Sequence, residues 1–189
     1  GAARPAIADP FLPTKIREGR VDEIRERTGS NLCILREETF HHVGCMQNAT
    51  AGEEYRRGWH PELFERPVDP ERAILVVGGG PAGMECAMVL GRRGYEAVHL
   101  VEGEAELGGK MRWTRQLPTL GDWGRVIDHR VIGLSKLDNV SVILGRRLEV
   151  ADVLDYGAAA GGGATGSARC ADGAQRHHVE RIAGAEGAG

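Results

Sequence analysis

The turn Gly78-Gly79-Gly80-Pro81-Ala82-Gly83 constrains this chain more than any other feature. It fits the pattern G-x-G-x-x-G and separates two segments of opposite character. Before it, Ala73-Ile74-Leu75-Val76-Val77 is a short continuous apolar run, as expected of a strand buried on both faces. After it, Met84, Ala87, Met88 and Leu90 share one face of a predicted helix that runs to Arg93 and stops at Gly94. Pro81 suits the first turn of that helix, where a missing N–H costs nothing. Ala97-Val98-His99-Leu100-Val101 reads as a second strand, and Glu102 ends it. In a chain with 28 glycines the pattern alone is weak. The strand before it, the helix after it, the second strand and the terminal acid together make it a dinucleotide-binding turn. Gly78 permits the tight turn, Gly80 lets the backbone approach a pyrophosphate, and Gly83 lets helix and strand pack closely. The whole run, with Gly79, Pro81 and Ala82, forms the candidate cradle, because free N–H groups and the helix dipole there attract a diphosphate. Glu102 follows Gly78 by 24 residues and can accept hydrogen bonds from ribose hydroxyls. A carboxylate at that place disfavours a 2′-phosphate, and hence NADP.

Further along, Asp122 to Leu137 spaces Trp123, Val126, Ile127 and Leu134 as a helical apolar stripe, and Val140 to Leu144 reads as a third strand. Alternating strands and helices predict an α/β fold, a Rossmann-like FAD/NAD(P)-binding βαβ unit on a parallel sheet. Leu107-Gly108-Gly109 follows the acid closely. In flavin-dependent oxidoreductases such a pair, here Gly108 and Gly109, lines the far end of the diphosphate cleft, which favours FAD or ADP over NAD. Composition divides the chain at residues 1–20, 21–70, 71–156 and 157–189. Residues 21–70 keep neither a strand nor a helix period and read as a linker, with Pro67 to Pro70 as a boundary. Residues 157–189 are rich in glycine and alanine and predict a disordered tail. Within it Ala164-Thr165-Gly166 matches a turn that flavoproteins place near the dinucleotide, so Thr165 joins the candidates. The small residues before it, however, give no strand to support it.

Several function classes are excluded. A formal charge of −3 without a Lys/Arg stripe gives no case for nucleic acid. No segment approaches ~20 apolar residues, so no membrane span is expected. The first residues show no secretory signal and no initiator Met, so the chain reads as a piece of something longer. Four irregularly spaced cysteines do not suggest a disulfide framework, and the expected setting is reducing and cytoplasmic.

Long, irregular segments carry a more specific signal. They are Gly1-Ala2-Ala3-Arg4-Pro5 with Ala8-Asp9-Pro10-Phe11-Leu12-Pro13, then Gln47-Asn48, Glu53-Glu54-Tyr55-Arg56-Arg57-Gly58-Trp59-His60-Pro61, and Val76 to Gly83. In this order they resemble the C-terminal part of the trimethylamine/dimethylamine dehydrogenase-like iron–sulfur flavoproteins, within the old-yellow-enzyme-like, 2,4-dienoyl-CoA reductase class. The resemblance implies a TIM barrel carrying FMN, a four-iron four-sulfur (4Fe-4S) cluster and nucleotide-binding domains. Residues 1–20 would then be the last βα segment of the barrel, with Arg4 at the FMN phosphate, and residues 21–70 the cluster segment. Four cysteines hold the cluster in that family. The matching positions here are Arg27, Ser30, Cys33 and Cys45, which leaves Cys33 and Cys45 as the candidate metal ligands. Iron–sulfur corners need thiolate sulfur, and an arginine has no lone pair to give, so a regular cluster is not expected. The resemblance further implies amine oxidation at FMN, the rest of the flavoprotein barrel as partner, and an electron-transfer flavoprotein as acceptor. Its catalytic groups would lie in the barrel, and none is assigned here. The alternative is a non-enzymatic nucleotide-binding or docking module. An FAD-dependent pyridine-nucleotide oxidoreductase is disfavoured because no second G-x-G-x-x-G occurs.

Overall fold

The computed structural model describes residues 3–159 and 170–172. In chain order the elements are α1 (Ala3–Ala8), α2 (Leu12–Arg17), α3 (Leu32–Glu38), α4 (Glu54–Arg57), β1 (Ala73–Val77), α5 (Pro81–Arg93), β2 (Ala97–Val101), α6 (Met111–Thr114), α7 (Arg125–Ser135), β3 (Val140–Ile143), α8 (Val150–Ala159) and β4 (Cys170–Asp172). They form two compact units, Gly1–Phe64 with Lys110–Gly133, and Glu65–Gly109 with Leu134–Gly189.

The second unit is built on a sheet of order β3-β2-β1-β4. β1 pairs parallel with β2 from Ala73↔Ala97 to Val77↔Val101, and β2 pairs parallel with β3. On one face Ala73, Leu75 and Val101 pack with Tyr156 of α8, and Val77, Ile143, Leu148 and Val153 close around them. The alternate residues Ile74, Val76, Val98 and Leu100 are also buried, as are Met84, Ala87 and Met88 of α5. Helix α5 ends as the sequence predicts: Gly94 takes a left-handed conformation at φ +93°, and its N–H caps the carbonyl of Gly91.

Three features depart from the sequence boundaries. The line at residue 157 falls inside α8, which runs to Ala159, and Cys170–Asp172 pairs antiparallel with β1. Residues 110–133 group with the first unit rather than with the nucleotide domain. The segment at residues 3–17 contributes two short helices, and no strand of a βα pair lies among its described residues.

His99 sits at the centre of β2, 6% exposed, with its ring edge-on to Tyr156 at 6.1 Å. Neither ring nitrogen has a hydrogen-bond partner among the described residues. Burial penalises the imidazolium and lowers the pKa below the usual value of about 6.5. As pH falls, the unfolded chain therefore takes up the proton before the folded one. Stability is fully present above about pH 6.5 and declines as pH drops below it. The melting temperature of this unit should fall between about pH 6.5 and 5. In His99→Phe that slope should shrink. An equally steep slope in the variant would show that another group titrates.

The first unit is held differently. Its interior is dominated by polar side chains, among them Asp9, Lys15, Arg25, Thr28, Gln47, Asn48, His129 and Arg130. Lys15 Nζ donates to Asp9 Oδ2 at 2.7 Å and lies 2.5 Å from Glu62 Oε1. Asp9 also accepts the backbone N–H groups of Arg25 and Phe11. Burial works to raise the Asp9 pKa, but the Lys15 hydrogen bond, these N–H donors and the Lys15 charge outweigh it. The carboxyl titrates below its usual range. Gln47 donates to the carbonyls of Glu26 and Arg125 and accepts from Arg130 Nη1 at 2.9 Å. Asn48 reaches the carbonyl of Ile7. Residues 110–133 join this unit partly because Arg125 and Arg130 are anchored in that network; Arg125 also donates to the carbonyl of Arg27 at 2.8 Å.

Candidate functional site: a glycine cradle and a cysteine-lined cavity

The cradle forms where β1 gives way to α5. Gly78 takes φ +100°, a conformation that residues with a Cβ rarely adopt, and its N–H donates to the carbonyl of Val101 at 2.8 Å. The turn is thereby tied to the end of β2. A Cβ on Gly79 would lie 2.5 Å from Leu107 Cδ2 and 3.0 Å from Glu102 Cβ. A Cβ on Gly83 would overlap the carbonyl oxygen of Gly78 and stand 3.0 Å from its carbon. The second glycine pair closes on the first. Gly108 N–H donates to Gly79 O at 2.8 Å, and a Cβ on Gly109 would come 3.2 Å from Gly80 Cα. The loop therefore requires glycine at these positions for its own geometry.

Gly80 is different. Its φ of −71° and ψ of 177° suit any residue, and a Cβ there would meet nothing within 4 Å. Among the described residues nothing requires glycine at this place, and open space lies beside it. Gly80 O accepts the first intrahelical bond, from Met84 N–H at 2.9 Å. The N–H groups of Ala82 and Gly83 precede that bond and have no intrahelical acceptor. An open, unhindered backbone at the positive end of a 13-residue helix fits a diphosphate.

Glu102 stands beside this turn. Its Oε2 accepts Gly79 N–H at 2.5 Å and its Oε1 accepts Glu104 N–H at 3.0 Å. One bond to each oxygen orients the carboxylate and leaves lone pairs over. Behind it runs a stretch that sequence reasoning missed: Arg146 N–H donates to Glu102 O, Gly145 N–H to Glu104 O, and Gly103 faces Arg147. Only Gly145, directly after the third apolar run, hinted at a turn there. Thr165 lies outside the described residues. Arg4 is exposed on α1 and donates to Asn31 Oδ1 at 3.1 Å.

In the first unit Arg27, Ser30, Cys33 and Cys45 all line one cavity of about 30 Å³. The two cysteines are free and half-buried. The four positions that the resemblance aligns with cluster ligands thus converge on one cavity, but their side chains do not fit a cluster. Two corners carry thiols, one a hydroxyl and one a permanent cation.

Residues 28–116 match the family model described as pyridine nucleotide-disulphide oxidoreductase. Dimethylamine dehydrogenase of Hyphomicrobium sp. (strain x) is 47% identical over 98% of this chain and 26% of its own length. Among solved structures, histamine dehydrogenase from Rhizobium sp. 4-9 is 47% identical with a TM-score of 0.78, over 82% of this chain and 22% of that one. The chain is a close homologue of the dimethylamine dehydrogenase-like flavoproteins. The 6-hydroxypseudooxynicotine amine oxidase from Pseudomonas geniculata N1 shares the fold at the same TM-score of 0.78, with 46% identity over 81% of this chain and 23% of that one. These dimethylamine dehydrogenase-like proteins are flavin-dependent oxidoreductases, and the chain spans about a quarter of their length. The Rossmann-like unit and parallel strands expected from sequence agree with them. Among the described residues, no helix is long and apolar enough to cross a membrane.

Proposed function

We propose that this chain is the nucleotide-holding portion of an amine-oxidising flavoprotein and that its cradle binds the ADP moiety of FAD or ADP itself. The observation that carries this reading is Gly80, a glycine that the fold does not need, set at a helix N-terminus between Gly78 and the Gly108-Gly109 wall. In this reading the N–H groups of Ala82 and Gly83 hold the diphosphate, Gly80 lets it approach, and Glu102 accepts from the ribose. The bound nucleotide would supply either redox chemistry, as FAD, or a purely structural ligand, as ADP. The chain's own residues bind and orient it. The methylamine-class substrate, the FMN-bearing barrel as partner, Arg4 at the FMN phosphate and an electron-transfer flavoprotein as acceptor extend the same proposal. A second reading is a non-enzymatic nucleotide-binding module. It is favoured by Arg27 and Ser30, which leave the cavity without the thiolates of an electron-carrying cluster.

The test is calorimetric titration of ADP. Glu102→Ala removes a charged acceptor and should weaken binding about tenfold to a hundredfold. Equal affinity in the variant would remove Glu102 from the site.

A further inference from the structure

We infer that the turn Tyr55-Arg56-Arg57-Gly58-Trp59 is a docking surface for an acidic segment of a partner protein. It belongs to the irregular run from Glu53 to Pro61, to which the nucleotide reading gives no role. Its outward face is cationic. Glu53 lies under it, with a side chain only 12% exposed, and this one carboxylate gathers two arginines. Arg56 donates to it from Nη2 at 2.7 and 2.8 Å and from Nε at 3.2 Å, and Arg57 donates from Nε at 2.8 Å. His42 Nε2 lies 2.8 Å from the same carboxylate. The arginines themselves stay open to solvent, Arg56 at 59% and Arg57 at 50%. The next carboxylate in the chain, Glu54, turns back to accept the N–H of Gly52 at 2.8 Å.

Arg57 is held from two sides yet keeps donors to spare. Its Nε is fixed by Glu53, and its guanidinium carbon stands 4.8 Å from the centre of the Trp59 ring. Gly58, at φ +67°, ends α4 in the left-handed turn that brings Trp59 there. Among the described residues Arg57 Nη1 and Nη2 have no hydrogen-bond partner. A carboxylate is the acceptor that fits such a planar fork, and a guanidinium ordered in advance loses little entropy on docking. Tyr55 is fully exposed and Trp59 half-exposed, in a chain where aromatic residues make up 5%. Tyr, Trp and Arg are the side chains that dominate binding energy at protein interfaces. A membrane or a nucleic acid needs a broader field of Lys and Arg, and the net charge of −3 opposes both. An acidic protein segment needs only this local pair. The inference does not depend on the nucleotide reading, because every residue named lies in the first unit.

The probe is a fluorescein-labelled peptide of alternating glutamate and leucine, titrated with the full chain and read by fluorescence anisotropy. It should bind at low salt and bind more weakly as salt is raised, whereas the same peptide with glutamine for glutamate should not bind. Arg57→Gln should weaken binding about tenfold or more, by removing a charged donor. Tyr55→Ala alters a side chain that the fold leaves in solvent, so a loss of about fivefold or more there reports docking and not misfolding. Arg147→Gln removes an exposed arginine from the other unit and should change nothing. Gly80→Val should also leave peptide binding intact, so failure of the nucleotide reading would not be confused with failure of this one. No binding of the glutamate peptide, equal binding of both peptides, or binding that Arg57→Gln and Tyr55→Ala leave unchanged would overturn the inference. So would tighter binding to phosphatidylserine vesicles or to single-stranded RNA than to the glutamate peptide, since the turn would then serve a lipid or a nucleic acid.

Discussion

Gly80→Val should abolish ADP binding and leave the unfolding curve of the chain unchanged. The backbone at Gly80 is extended, with φ −71° and ψ 177°, a region in which β-branched residues are at ease. A Cβ there meets no atom within 4 Å, so the free chain accommodates valine without displacing a neighbour. The isopropyl group would fill the space in which the diphosphate has to approach the N–H groups of Ala82 and Gly83. Loss of that contact removes charge-assisted hydrogen bonds to a doubly charged group, enough to push affinity below detection. Calorimetry with ADP and a thermal melt, run on the same sample, separate the two effects. Binding retained at the parent affinity would mean that the diphosphate lies elsewhere. A lowered melting temperature would mean that Gly80 serves the fold after all.

The opposite outcome is expected at the other end of the motif. Gly83→Ala should destabilise the sheet unit by about 3 kcal/mol, the upper part of the usual range for overpacking. The added methyl would overlap the carbonyl oxygen of Gly78 and stand 3.0 Å from its carbon, and both are backbone atoms. No flexible side chain is there to swing away. Relief requires α5 to move off β1, or the turn to lose the bond from Gly78 N–H to Val101 O. Urea unfolding of the parent and the variant measures this directly. A stability change under about 0.5 kcal/mol would show that helix and strand are less closely packed than described. Taken together, the two substitutions divide the motif into a glycine kept for the ligand and a glycine kept for the fold.

The sheet unit was legible because its burial is apolar and its punctuation is glycine. β1, α5 and β2 have the bounds that the sequence predicts, and each is an apolar run or stripe closed by a residue of special backbone geometry. The third strand stops at Ile143, one residue before the expected Leu144. The helix expected from Asp122 begins instead as a 3-10 turn, Gly121–Gly124, and becomes α-helical at Arg125. Arg115 lies against Gly124 there, so a side chain at that position would have to displace its guanidinium. The first unit was illegible for a physical reason. Hydrophobic periodicity reports apolar burial, but Asp9, Lys15, Gln47 and Asn48 are buried there through directional bonds that no period encodes. Only the irregular family segments marked Gln47 and Asn48 as special. In the cradle, the spacing of Gly78, Gly80, Gly83 and Glu102 was legible in the sequence. The hydrogen bond from Gly108 to Gly79 joins residues 29 apart and could be read only in the fold.

The polar interior of the first unit also has a thermal consequence. Exposing apolar surface raises heat capacity on unfolding, whereas exposing polar surface lowers it. Opening the Asp9–Lys15 pair and the Gln47–Arg130 contact therefore works against the rise produced by Ala8, Ala51, Val126 and Ile127. The first unit accordingly carries a flatter stability curve than the sheet, where the described interior of Ile74, Leu75, Met84, Met88 and Leu100 includes His99 as its one buried polar side chain. Cooling weakens the sheet's apolar cohesion first. Within one polypeptide, the glycine cradle and the cysteine-lined cavity thus respond to temperature in different ways.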